Sequence, residues 1–164
     1  MKIKSFFIIT IVLFSIWILL NNSLDPVLLI IGAGVSILIA LLFCTKCSVF
    51  SQIKLSPKSL FFSIAYIFVF IIELIKSNLD VAYRVISPKL PINPGIVKVK
   101  TVLNTEIGRM ILANSITLTP GTLSVDIRDE FIYVHWIDVE GKDIDTATDA
   151  IVKKFEKYLK EIYG

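Results

Sequence analysis

Hydrophobic positions along the chain follow two regimes. From residue 5 to residue 75 they come in three long blocks; from residue 96 onward they recur with short periods. Ser5 to Leu20 is free of charge and ends at Asn21-Asn22-Ser23, and Val27 to Phe43 is equally uncharged. Asp25-Pro26 between them reads as a helix start, an acid at the N-cap and proline at the first helical position. A third block opens on Ser56-Pro57 and stays apolar from Leu60 to Ile75 apart from Glu73. Its stripe of Ile72, Ile75, Leu79, Ala82 and Ile86 continues until Ser87-Pro88, where proline ends the helix. The pattern predicts three hydrophobic helices over about 5–20, 26–43 and 57–86. At 1.5 Å per residue the third is about 45 Å long, more than the roughly 30 Å hydrocarbon core, so its last turns should carry Lys76 and Arg84 to the headgroups.

The second regime predicts a small α+β domain. Leu90-Pro91-Ile92-Asn93-Pro94-Gly95 is a stiff linker. Ile96 to Thr101 alternates as a short strand. Asn104 or Thr105 can cap a helix with Ile107, Met110, Ile111 and Asn114 on one face. Thr119-Pro120-Gly121-Thr122 is a turn by composition, and Leu123, Val125 and Ile127 alternate after it. Phe131 to Val139 is apolar on both faces, as in a central strand. A last helix from about Asp143 to Tyr163 carries Ile144, Ala147, Ile151, Phe155, Tyr158 and Ile162 on one side, with its lysines late, as the helix dipole favours. The order β-α-β-β-α suits a ferredoxin-like sandwich lacking its last strand. The expected division is 1–88 for the membrane helices, 89–95 for the linker and 96–164 for the small domain.

Composition agrees with a membrane anchor. Hydrophobic residues make up 55% of the 164 residues and charged residues 19%, against roughly 45–50% and about 25% in soluble domains. The mean hydropathy is +0.77. The net charge of +3 falls wholly in residues 1–75, because the remainder balances its acids and bases. A soluble enzyme and a disordered tail are excluded. Two cysteines exclude a disulfide scaffold. No small-x-small cleavage site precedes the second block, which argues against a signal peptide. Lys2, Lys4, Lys46, Lys54 and Lys58 argue for an inside N-terminus. Lys76, Arg84, Lys89, Lys98 and Lys100 argue for an inside C-terminal half. Three full spans cannot satisfy both; a hairpin of the first two blocks on one membrane face is the alternative to full spans.

Candidate chemistry is sparse. Gly32, Ser36 and Ala40 form a small-residue stripe suited to close helix packing in lipid. Glu73 is the one acid at membrane depth, a candidate at a subunit interface, with pairing to Lys76 one turn away as the plain alternative. Cys44 and Cys47 have redox or metal spacing, but two more ligands are needed for zinc and the only histidine is His135. No metal or cofactor is expected. His135, mid-strand, reads as a structural residue. Lys98 and Lys100 are a solvated face rather than a nucleic-acid patch. No nucleophile constellation or phosphate loop is present, so neither enzyme activity nor a small-molecule substrate is expected.

Asn114-Ser-Ile-Thr-Leu-Thr-Pro-Gly-Thr-Leu-Ser-Val-Asp-Ile127, followed by Tyr133-Val-His-Trp-Ile-Asp-Val139, resembles the E subunit of the multisubunit Na+/H+ antiporter family, the Mrp or Mnh type. The likeness extends over nearly the whole chain, and the pairing of T-P-G-T with H-W-I-D at this spacing carries it. It implies an accessory, non-catalytic subunit of a cation/proton antiporter in a bacterial plasma membrane. It also implies other membrane subunits as partners, lipid around the helices and a cytoplasmic small domain. Thr117, Thr119, Pro120, Gly121, Thr122, His135, Trp136 and Asp138 match the motif and are expected to shape the small domain and its docking surface. Gly121 also fits a turn that needs positive φ. The rival reading is a stand-alone anchor whose ferredoxin-like module binds a soluble partner.

Overall fold

The computed structural model describes residues 3–43, 56–141 and 143–164. Three helices come first: α1 (Ile3–Asn21), α2 (Pro26–Phe43) and α3 (Pro57–Ile86). Their starts follow from local chemistry. Asp25 Oδ1 accepts from the Val27 amide at 2.8 Å, and Ser56 Oγ accepts from the Ser59 amide at 3.0 Å, each satisfying a first-turn donor that has no partner within its own helix. Then follow β1 (Gly95–Lys100), α4 (Glu106–Leu118), β2 (Thr122–Arg128), β3 (Phe131–Trp136), α5 (Ile144–Ile151) and α6 (Lys153–Tyr163). The β-α-β-β order follows the sequence pattern, but two helices, α5 and α6, stand where one was expected. The three strands form an antiparallel sheet in the order β1-β3-β2, with the strand read as apolar on both faces in the middle.

The chain divides into two compact units, Met1–Ile53 and Lys54–Gly164. In the first, α1 and α2 pack as a hairpin. Ser36 and Ala40 are buried, and a Cβ at Gly32 would overlap the Trp17 ring. The small-residue stripe, expected to pack on helices of partner subunits, lies here against α1 of the same chain. Trp17 Nε1 completes the contact by donating to the Leu28 carbonyl at 3.0 Å. Both helices are about as long as the hydrocarbon core at 1.5 Å per residue.

The second unit groups α3 with the small domain. Phe62, Tyr66 and Phe70 of α3 pack on that domain's core. The core itself joins Val97 and Val99 of β1, Ile132 and Val134 of β3, Leu112 and Ile116 of α4, and Phe155 and Leu159 of α6. Tyr66 and Phe70 both meet the Phe155 ring, with centroids 6.4 and 6.3 Å away. Two further details depart from the sequence pattern. The buried residues of α4 are Ile107, Gly108, Leu112, Ala113, Ser115 and Ile116, so Met110, at 49% exposure, and Asn114 lie outside that face. The last helix is broken at Val152, which lets Ile151 and Val152 both point into the core.

Candidate functional site

The T-P-G-T motif, the end of β3, the C-terminal third of α3 and the junction of α5 and α6 line a cleft of about 180 Å³. Its geometry is fixed by hydrogen bonds of the motif to its own backbone. Thr119 closes α4 as the residue after its last turn, and its buried hydroxyl donates to the Ser115 carbonyl at 2.8 Å. Thr122 Oγ1 donates to the carbonyls of Ile116, at 2.6 Å, and Thr119, at 2.9 Å. Thr117 Oγ1 accepts from the Ser124 amide at 3.1 Å. Between the threonines, Gly121 has φ +90°, a conformation that costs an L side chain energy. A Cβ there would meet Ile137 Cγ2 at 2.9 Å. The Gly121 carbonyl accepts from the Ile137 amide at 2.8 Å, tying the turn to the strand end that carries Trp136 and Asp138.

Asp138 links this wall to α3. Its Oδ2 accepts from Arg84 Nη1 at 2.6 Å, while Arg84 Nε donates to Asp80 at 2.7 Å and Nη1 also reaches the Pro91 carbonyl at 2.6 Å. One guanidinium therefore fastens the last turn of α3, the linker and the end of β3. Its side chain is only 14% exposed, so these contacts are partly shielded from screening. Ser77, Glu140 and Lys154 add to the polar lining.

The other expected site residues fall elsewhere. His135 is exposed on the outer face of the sheet, in register with Ile96 and Leu123, away from Trp136 and Asp138 on the opposite side. Glu73 pairs with Lys76 at 3.1 Å and with Lys154 at 3.0 Å, so it is an intrachain anchor between α3 and α6. Cys44 and Cys47 lie outside the described residues. Among the described residues no group of three or more His, Cys, Asp or Glu side chains is placed to hold a metal ion.

The family described as Na+/H+ ion antiporter subunit matches residues 10–162 of this chain. The chain belongs to that family. It is similar to the Na+/H+ antiporter E subunit of Alkalihalophilus pseudofirmus, 40% identical over 138 residues that make up 83% of this chain and 85% of that one. It is 43% identical to the E subunit of Bacillus subtilis over 97 residues, 58% of this chain and 60% of that protein. Among solved structures it resembles a chain of the membrane-bound sulfane sulfur reductase, an archaeal respiratory membrane complex. There the TM-score is 0.84 at 46% identity, covering 96% of this chain and 98% of that one.

In this antiporter-subunit family member, two anchoring residues stand outside the motifs that the sequence displays. Glu156 is buried, at 9% exposure, and accepts from Thr101 Oγ1 at 2.5 Å and the Val102 amide at 2.8 Å. It holds the β1–α4 connection. Its position four residues after Val152 and three before Leu159 is the signal that places it on the buried side. The Tyr66 hydroxyl shares a hydrogen bond with Ser115 Oγ, joining α3 to α4 beneath the cleft. At the near end of α3, Lys58 meets Glu161 at 2.6 Å.

Proposed function

We propose that this chain is an accessory, non-catalytic membrane subunit of a multisubunit Na+/H+ antiporter that supports assembly and stability of the complex. Family membership across residues 10–162 carries the reading. The chemistry of the motif supports it: the hydroxyls of Thr117, Thr119 and Thr122 and the carboxylate of Asp138 all spend their hydrogen bonds inside the chain. A side chain so engaged shapes a surface rather than moving a proton. The α1–α2 hairpin anchors the chain in the plasma membrane. The small domain braces the cytoplasmic side, presenting the wall of Pro120, Trp136 and Asp138, held in shape by Thr119, to its partners.

The test is recovery of partners. Tagged at its C-terminus and solubilised from native membranes in mild detergent, the chain should bring several large polytopic proteins in fixed ratio. Emergence alone, or with a single soluble protein, would sink the reading in favour of a stand-alone anchor. A second reading rests on the 46% identity to a chain of a respiratory membrane complex. Under it the chain sits in a redox assembly, and subunits of a respiratory complex would appear in the recovered set.

A further inference from the structure

The long helix α3 has two unlike faces. Phe62, Tyr66, Phe70, Glu73, Ser77 and Arg84 face the small domain, through the ring contacts, ion pairs and cleft described above. The opposite face, Phe61, Ile64, Phe68, Ile71, Ile75 and Leu79, is 45 to 68% exposed. We infer that α3 lies in the plane of the membrane at the headgroup–acyl boundary, apolar face down and small domain on its back, and does not cross the bilayer.

The first argument is one of length. Domain contacts run along α3 from Lys58, paired with Glu161, to Arg84, paired with Asp138. That is about 39 Å at 1.5 Å per residue, more than the roughly 30 Å hydrocarbon core. A crossing α3 would drag the Glu73–Lys154 pair, about 22 Å from Lys58, and the part of α6 packed beside it into hydrocarbon, where burying ionic groups is strongly unfavourable. In the plane, the apolar face sinks about 5–10 Å and every ion pair stays above it.

The second argument is charge complementarity. Lys58 and Lys76 are five turns apart at 3.6 residues per turn, so they share one edge of the apolar face. Each side chain is 68% exposed, placed to reach anionic lipid headgroups along the rim. The wider charge pattern agrees. Lysines precede α1, separate α2 from α3 and follow α3, whereas the turn between α1 and α2 holds Asp25 and no Lys or Arg. A one-face hairpin of α1 and α2 does not remove the conflict among these charges, because two full spans and such a hairpin return the chain to the same side. Only a non-crossing α3 lets every cationic flank obey the positive-inside preference.

The inference concerns lipid contact and topology and does not depend on which complex the chain serves. It is tested on the full chain in native membrane vesicles, with Cys44→Ser and Cys47→Ser as the background. Ile3→Cys and Lys89→Cys should react with an impermeant maleimide in vesicles of the same orientation; reaction in opposite orientations shows that α3 crosses and overturns the inference. Nitroxides at Phe61→Cys, Phe68→Cys and Ile75→Cys should show equal, high oxygen accessibility and low accessibility to a water-soluble nickel chelate. A depth maximum at position 68 between two wet ends overturns it. So does low accessibility to both reagents at all three positions, which would mean that a protein partner covers the face. Neither readout uses partner recovery or antiport, so its failure leaves the proposed antiporter role standing.

Discussion

Glu73 Oε2 and Lys154 Nζ stand 3.0 Å apart across the contact between α3 and α6, with the two side chains 19% and 32% exposed. The acid that the hydropathy pattern places at membrane depth is thus a clasp between helices of one unit. Replacing it should loosen that contact without abolishing ion movement. Glu73→Gln is expected to cost about 0.2–1 kcal/mol, the range of partly exposed ion pairs. A double-mutant cycle with Lys154→Met by thermal unfolding of the purified complex should return a coupling of that size. Full loss of antiport in a normally assembled Glu73→Gln complex would instead make Glu73 part of the ion path.

Gly32 and Gly34 should answer differently to the same change. A Cβ at Gly32 would strike the Trp17 indole, whereas one at Gly34 meets nothing within 4 Å. Gly32→Ala is expected to destabilise the α1–α2 hairpin by about 1–3 kcal/mol, as overpacking does. Gly34→Ala should be tolerated. Detergent-resistance midpoints of the two variants check this, and equal behaviour would refute the packing read from the hairpin.

Gly121→Ala combines strain at φ +90° with a 2.9 Å approach to Ile137 Cγ2. The expected cost is about 1–3 kcal/mol, seen as a lowered unfolding midpoint and reduced complex yield. Thr122→Ser retains the hydroxyl and should come close to the parent in both.

Glu156→Ala leaves the Val102 amide and the Thr101 hydroxyl without their acceptor. A stranded polar group of this kind costs about 1–3 kcal/mol. Hydrogen exchange should rise at the β1–α4 connection first. Uniform protection across the domain would argue against Glu156 as the local anchor.

At the start of α5, the Thr146 amide and then its hydroxyl donate to Asp143, and these bonds hold the Asp143 carboxyl below its usual range. A group with a depressed folded-state pKa stabilises above its unfolded value, about 3.9, and loses that contribution as pH falls through the folded value. Protection of the first turn of α5 should therefore drop as pH is lowered from about 5 toward 3. Asp143→Asn keeps the cap without the charge, so its protection should be flat over that range.

Much of the local architecture was legible because it rests on contacts within a few residues. Asp25-Pro26 and Ser56-Pro57 set helix starts, Pro88 set the end of α3, and Thr119-Pro120-Gly121-Thr122 set a turn around one positive φ. Each depends on backbone sterics and a nearby side-chain acceptor, which the neighbouring residues alone supply. The small-residue stripe was legible as a packing surface for the same reason.

Which surface meets which was not legible. In the sequence the aromatic residues of α3 look alike on every side: Phe61 and Phe68 are as apolar as Phe62 and Phe70. Only the fold brings Phe155 and Tyr158 of α6 against Phe62, Tyr66 and Phe70 and leaves Phe61 and Phe68 bare. Likewise, Gly32 offers a close approach to any helix, and its occupant became known when Trp17 filled it. Periodicity records how strongly a face avoids water. Whether protein or lipid relieves it is decided by residues far along the chain, and for α3 that is the tertiary structure's decision.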